Sequence, residues 1–330
     1  MRLRTIRLGI LSIGSSIVLL VALPQATYPQ PLEKVRVAVS FAGLWTSSQP
    51  IFCRDRGEFK KAGIDLEVIS TRGGSENVQA VITGAADIGY GPGIASVFAA
   101  QMQSAPIKII SSNYVGNSDS FFYVRTGSPL NSLADVKPET TIAYTRPGSV
   151  SEAILRDIEN EKGIHFKTVS GGSFDAIFTM VMTGQVDVGV ATPPSGIEAL
   201  KKGEIRVLFD GNSDVLQRDV ASRINIANAN FLKSHRATAV KFLHVLHDCV
   251  DWMYTNRAEA DKMYAALNHI DADIASRSMA FYSRQNMELT PISGLKTSIK
   301  QAVTDKFIDK PPTDAQLKDF IDLLYNAPNN

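Results

Sequence analysis

Only two cysteines, Cys53 and Cys249, occur in the 330 residues, so disulfides do not supply a framework and the fold must stand on its hydrophobic core. Cys53 falls in a helix predicted over Pro50 to Ala62, and Cys249 in one predicted over Ala237 to Tyr254. The reading favours two buried free thiols over the single disulfide that an oxidising compartment would permit. An excess of one charge is missing as well. The 34 lysines and arginines face 33 acids, a formal charge of +1, which leaves no basic face for nucleic acid. Beyond Leu23 no stretch is long and apolar enough to cross a membrane. Motifs of catalysis are also missing: there is no Gly-x-Ser-x-Gly elbow, no Walker loop and no Gly-x-Gly-x-x-Gly, and Gly89-Tyr90-Gly91-Pro92-Gly93 has the wrong spacing. His244 and His247 could share one helix face, but they lack the His-Glu-x-x-His pattern and a further histidine cluster. Neither a metal nor a cofactor is expected, and these absences weigh against an enzyme.

A composition of 44% hydrophobic and 20% charged residues is that of a folded chain of about two domains. The N-terminus stands apart from it. Arg2, Arg4 and Arg7 precede an uncharged, mostly apolar Leu8 to Leu23, and Pro24-Gln25-Ala26-Thr27 makes a break with a small residue, the layout of a secretory signal peptide over residues 1–26. Its removal would leave 31 basic against 33 acidic residues, about −2. The alternative is an uncleaved anchor, although the sixteen residues fall short of the roughly 20 that span a bilayer. No cysteine lies near residues 20–30, which excludes a lipid anchor.

The strongest pattern is a repeat. Thr83-Gly84-Ala85-Ala86-Asp87-Ile88-Gly89 returns one hundred residues later as Thr183-Gly184-Gln185-Val186-Asp187-Val188-Gly189. Each copy is preceded by Gly-Gly-Ser, at Gly73 to Ser75 and Gly171 to Ser173, an offset of 98 that predicts a second helix two residues longer. Glycine loop, apolar-periodic helix, glycine stop and β-rich strand is a parallel α/β unit, so the chain reads as two α/β lobes of one design. Loops at the carboxyl ends of parallel strands hold ligands, and here they are Gly91-Pro92-Gly93 and Thr192-Pro193-Pro194. Phe121 to Val124 reads as a crossing between lobes, Ala221 to Ile226 as a strand returning to the first, and the remainder as helical, with capping boxes at Asn256/Glu259 and Thr313/Gln316.

Glycine-rich loops opening helices present free N–H donors and a positive dipole end, which suits an anion. Gly73-Gly74-Ser75, Arg146 to Ser151 and Gly171-Gly172-Ser173 have this form, and Arg146 adds a charged fork that fits a carboxylate, sulfonate or phosphate. Trp45 in a Ser40 to Gln49 loop, with Tyr90 and Tyr114, would wall off the apolar part of a ligand.

On the Gly73 to Gly89, Tyr144 to Ser149 and Thr183 to Gly189 segments, the chain from about Val35 onward resembles the periplasmic solute-binding proteins of ABC importers. The group is that of nitrate, sulfonate and taurine, which includes the thiamine-pyrimidine-precursor (NMT1/THI5-like) binders. The resemblance implies a two-lobed type II periplasmic-binding-protein fold with parallel-rich sheets flanked by helices and two crossover hinge strands. Lobe 1 would comprise residues 30–124 and 223–330, and lobe 2 residues 125–222. It further implies a ligand cleft contacted by Ser40, Trp45, Thr46, Gly74, Ser75, Tyr90, Gly91, Arg146, Gly148, Ser149 and Thr192, to which the reading of the strand-end aromatics adds Tyr114. Expected partners are a small, anionic organic ligand and the membrane permease, with the protein a monomer in the periplasm or secreted. The cysteine-rich motif of the related pyrimidine synthases is missing. A cleft enzyme and a ligand-sensing module for a signalling receptor stand as alternatives.

Overall fold

The computed structural model describes residues 31–213 and 218–326; the segment read as a signal peptide lies outside the described residues. In chain order the first half comprises β1 (Glu33–Ser40), α1 (Trp45–Asp55), α2 (Glu58–Lys61), β2 (Ile64–Thr71), α3 (Gly74–Ile82), β3 (Ile88–Gly93), α4 (Ile94–Met102), β4 (Ile107–Val115), β5 (Phe121–Arg125) and β6 (Thr141–Tyr144). It continues through α5 (Val150–Lys162), β7 (Lys167–Ser170), α6 (Phe174–Met182), β8 (Gly189–Ala191), α7 (Ile197–Lys202), β9 (Ile205–Asp210) and β10 (Ala221–Asn228). The C-terminal part is helical: α8 (Ala229–Thr255), α9 (Arg257–Asn268), α10 (Ala272–Met279), α11 (Leu295–Thr304) and α12 (Asp314–Phe320).

The first sheet has the order β2-β1-β3-β10-β4. β1 runs parallel to β2 and β3, and β10 is antiparallel to both β3 and β4. In the second, β6 pairs parallel with β7, β5 is antiparallel to β8 and β9, and a parallel bridge joins Ile142 to Val188. The bridge puts these strands in the order β7-β6-β8-β5-β9, which is the first sheet again with β5 in the place of β10. In each sheet the antiparallel strand is the one that arrives from the other. Strand β1 is buried on both faces, with Val35, Val37 and Val39 on one and Ala38 on the other, as helices on both sides of a parallel sheet require.

The repeat is the frame of these sheets. Asp87 Oδ2 accepts from Arg36 N at 2.8 Å, and Asp187 Oδ2 accepts from Thr141 N at 2.8 Å. Each aspartate therefore ties its own strand to the start of the lobe's first one. Gly84 and Gly184 both stand at φ +74°, where only glycine is unstrained. A Cβ on Gly89 would come within 3.0 Å of Val81 Cγ2, and one on Gly189 within 2.8 Å of Val181 Cγ2. These glycines let helix and strand approach closely. Helices α3 and α6 are each nine residues long, so the expected two-residue difference is corrected. Ser173 caps α6 by accepting from Ala176 N, whereas α3 begins inside its tripeptide at Gly74; the two Gly-Gly-Ser copies are not equivalent.

Three further expectations need correction. Helix α1 begins at Trp45 and contains Pro50 within it, so the Ser40 to Gln49 loop is short and proline removes one internal bond without ending the helix. Asn256 N-caps α9 with no side-chain bond, while the Thr313/Gln316 capping box is present. Cys53 and Cys249 form a disulfide, with Cα atoms 5.8 Å apart. Packing of α1 on α8 brings together two buried positions 196 residues apart, which helical periodicity does not reveal.

Candidate functional site

The carboxyl ends of the parallel strands of both sheets face one another across a cleft. Ser40 ends β1, Gly91 and Gly93 lie in the last part of β3, and Asn113 in that of β4; Thr145 follows β6 and Thr192 follows β8. Ser120 and Arg223 enter from the two chain crossings. The enclosed space is about 50 Å³, room for a few waters at roughly 10–15 Å³ each. A group of a few heavy atoms fits it in this form.

Several helices begin at this cleft. Thr46 and Ser47 lie in the first turn of α1, Gly74 opens α3, Gly93 N-caps α4, Ser149 N-caps α5 and Phe174 opens α6. First-turn N–H groups have no intrahelical acceptor, and each dipole leaves a partial positive charge there. Hydroxyls dominate the remaining lining. Ser151 Oγ lies 3.1 Å from Thr145 Oγ1 and 3.0 Å from Ser149 Oγ. Phe41, Leu44, Val150 and Phe174 supply the apolar surface. Asn113 is buried with its Oδ1 unpartnered and donates through Nδ2 to Asn225 Oδ1 at 3.2 Å.

Arg223 is the charged side chain of the lining. It is 7% exposed and pairs with Asp119, which is 0% exposed, through Nη1 to Oδ1 at 3.2 Å and Nη2 to Oδ2 at 3.0 Å. Its guanidinium also lies 5.2 Å from the Tyr114 ring centroid. Burial pushes the Asp119 carboxyl up from its ordinary value against the pull of Arg223. The pair brings no net charge, so the positive character of the cleft comes chiefly from helix ends.

Of the residues singled out in the sequence, Ser40, Thr46, Gly74, Gly91, Ser149 and Thr192 line the cleft. The aromatics do not. Trp45 is fully buried, its Nε1 donating to the Tyr254 hydroxyl at 3.2 Å and its ring packed edgewise on Phe52 and Tyr264. Because α1 starts at Trp45, Thr46 and Ser47 meet the cleft while the indole joins the aromatic core. Tyr90 is buried and donates to Gln49 Oε1. Tyr114 is buried, 3.1 Å from Ser118 Oγ, with its ring edgewise to Tyr282. The aromatic wall is instead Phe41 and Phe174, one from each lobe, with ring centroids 5.0 Å apart.

Arg146, Ser75 and Gly148 close the mouth rather than line the space. Arg146 Nη1 lies 3.2 Å from Glu76 Oε1 across the cleft, and its Nε donates to Gly172 O at 3.1 Å. Ser75 Oγ donates to Pro147 O at 2.6 Å. Gly148, at φ +78°, would place a Cβ 3.1 Å from Ser75 Oγ. These bonds join the two lobes across the mouth of the cleft. Glu76 is held below the ordinary glutamate range, first by the Arg72 N–H and then by the Arg72 and Arg146 charges. Of these, only the Arg146 contribution comes from the other lobe, so contact between the lobes favours ionised Glu76. The latch is therefore present above the ordinary glutamate range and is lost as pH falls through the lowered value. Glu76→Gln or Arg146→Ala is expected to weaken ligand binding at neutral pH by about two- to fivefold, the scale of a partly exposed pair. Titration calorimetry at neutral and acid pH checks it; a hundredfold loss in Arg146→Ala would put the guanidinium on the ligand itself.

Two α/β lobes of identical strand order, joined by two crossings, with strand ends and helix N-termini converging on a closed cleft, define a periplasmic-binding-protein fold of the two-lobed type II class. Residues 47–260 match the family model described as NMT1/THI5 like, and the chain belongs to that family. It is 22% identical over 290 residues to the Bacillus subtilis (strain 168) protein named "Putative binding protein YtlA", covering 86% of this chain and 85% of that one. The periplasmic aliphatic sulphonate binding protein SsuA from Escherichia coli superposes with a TM-score of 0.71 at 16% identity, covering 90% of this chain and 97% of its own. The desulfurization enzyme DszB also shares the fold, with a TM-score of 0.62 at 12% identity over 88% of this chain and 96% of its own.

Proposed function

We propose that this chain is the solute-binding component of an ABC importer. It is exported by its N-terminal segment, acts as a monomer in the periplasm, and closes on a small organic anion, a sulfonate or carboxylate, for delivery to a membrane permease. The observation that carries this reading is a cleft of about 50 Å³ where helix N-termini and hydroxyls converge around a lone, internally neutralised cation. Such a site is rich in donors and suits a compact anionic head. The apolar remainder of the ligand would rest against Phe41, Leu44, Val150 and Phe174. Closure follows from contacts available only in the closed form, among them Arg146 with Glu76.

Among the described residues the lining contains no carboxylate to meet an ammonium. Burying an unpaired ammonium costs several kcal/mol. Ethanesulfonate is therefore expected to bind at least about tenfold more tightly than taurine, a difference of roughly 1.4 kcal/mol or more. Among the described residues the lining hydroxyls likewise have no histidine or carboxylate beside them within the lining to act as a base, which supports a binder over an enzyme on the DszB pattern.

Protein stripped of ligand by unfolding and refolding should be heated with alkanesulfonates, taurine, nitrate, carboxylates and pyrimidines. A true ligand at 100 times its Kd adds about 2.7 kcal/mol of stability. Stabilisation by none of the anions, or turnover of one of them, would replace this reading with the enzyme one.

A further inference from the structure

Behind the cleft, across the contact between Gly93 and Val150, lies a second chamber of about 30 Å³. Gly93, Ser149 and Val150 border both spaces. A Cβ on Gly93 would meet Val150 Cγ2 at 3.3 Å, so the partition is thin. It has one side from each lobe, so movement of one lobe against the other would join the two spaces.

Apolar groups of Ile94, Ala95, Ala153, Val220 and Ala302 share the wall of the second chamber with the polar side chains of Asn117, Ser149, Ser222 and Ser298. Among them stands Gln301, 7% exposed, whose Nε2 has no hydrogen-bond partner. A buried amide donor is costly to leave unmet. Asp305, one helical turn further on, also borders the space, and its carboxylate disfavours a second anionic group there.

We propose that this chamber is a subsite for the far end of the ligand. The ligand is then an organic anion whose short apolar chain ends in a neutral hydrogen-bond acceptor, an ether or carbonyl oxygen, received by Gln301 Nε2. This inference rests on the anion-binding reading of the cleft.

The test is titration calorimetry with methanesulfonate, pentane-1-sulfonate and 3-methoxypropane-1-sulfonate, and with the corresponding carboxylates. The ether is expected to bind about three- to tenfold more tightly than the alkane of equal length, the scale of one neutral hydrogen bond. Gln301→Leu should erase that preference. Ala153→Phe, which fills the chamber from a half-buried position, should weaken both long ligands and spare methanesulfonate. If methanesulfonate binds but the ether has no advantage, or if the advantage survives Gln301→Leu, the chamber holds water only and the subsite is overturned while the anion reading stands. If no member of either series binds, both fall together.

Discussion

Asp119→Ala is expected to destabilise the protein by about 3–5 kcal/mol in denaturant unfolding of the ligand-free form, because it strands a buried guanidinium. Arg223 gives its two terminal nitrogens to Asp119, and the pair sits where the chain crosses between lobes. With the carboxylate gone, the remaining outlet for the charge is the cleft. An anion bound there becomes the replacement partner, so added methanesulfonate should stabilise Asp119→Ala by more than it stabilises the wild type. Replacing both partners with apolar groups, Asp119→Leu with Arg223→Met, should recover part of the loss, since a buried ion pair is worth little against a well-packed apolar one. A loss below about 1 kcal/mol for Asp119→Ala would mean that water reaches Arg223 and that the pair is not sealed from solvent.

The double variant Cys53→Ser, Cys249→Ser is expected to lose about 2–5 kcal/mol, the range for removing a native disulfide. The bond closes a loop of 196 residues, long enough for its constraint on the unfolded chain to be large. Both cysteines are buried, Cys53 at 0% and Cys249 at 3% exposure. A reductant should therefore act slowly on the folded protein and quickly once denaturant opens it. Equal unfolding midpoints for the variant and the oxidised wild type would mean that α1 and α8 hold together by packing alone.

The parallel α/β character of each lobe was legible because glycine stops and β-rich runs are local signals, and Gly84 with Gly184 and Asp87 with Asp187 carry them at a fixed offset. What the repeat marks, however, is the frame at the ends of the sheets away from the ligand cleft. Residues at the strand ends were also legible, since position along a parallel strand decides which end faces the cleft; Ser40, Gly91 and Thr192 follow from it. Aromatic side chains were not. Trp45 and Tyr114 differ from Phe41 and Phe174 only in which way the backbone turns them, and the former pack into a core built from α9 and α10, more than 140 residues away. Phe174 had one signal that was passed over: it follows the N-cap Ser173 directly and so stands at the mouth of a helix already read as facing a ligand. Arg223 had none, because its partner Asp119 lies 104 positions earlier and nothing near either residue in sequence announces the pair.

The last strand of the first sheet to be made is an inner one. β4 takes its sheet hydrogen bonds from β10, and β10 stands between β3 and β4. A growing chain therefore carries β2, β1 and β3 as neighbours but has no partner to join β4 to them until residue 228 has been made. By then the second lobe, whose strands all lie between Phe121 and Asp210, has its full set. The middle of the chain can complete its sheet before the beginning can.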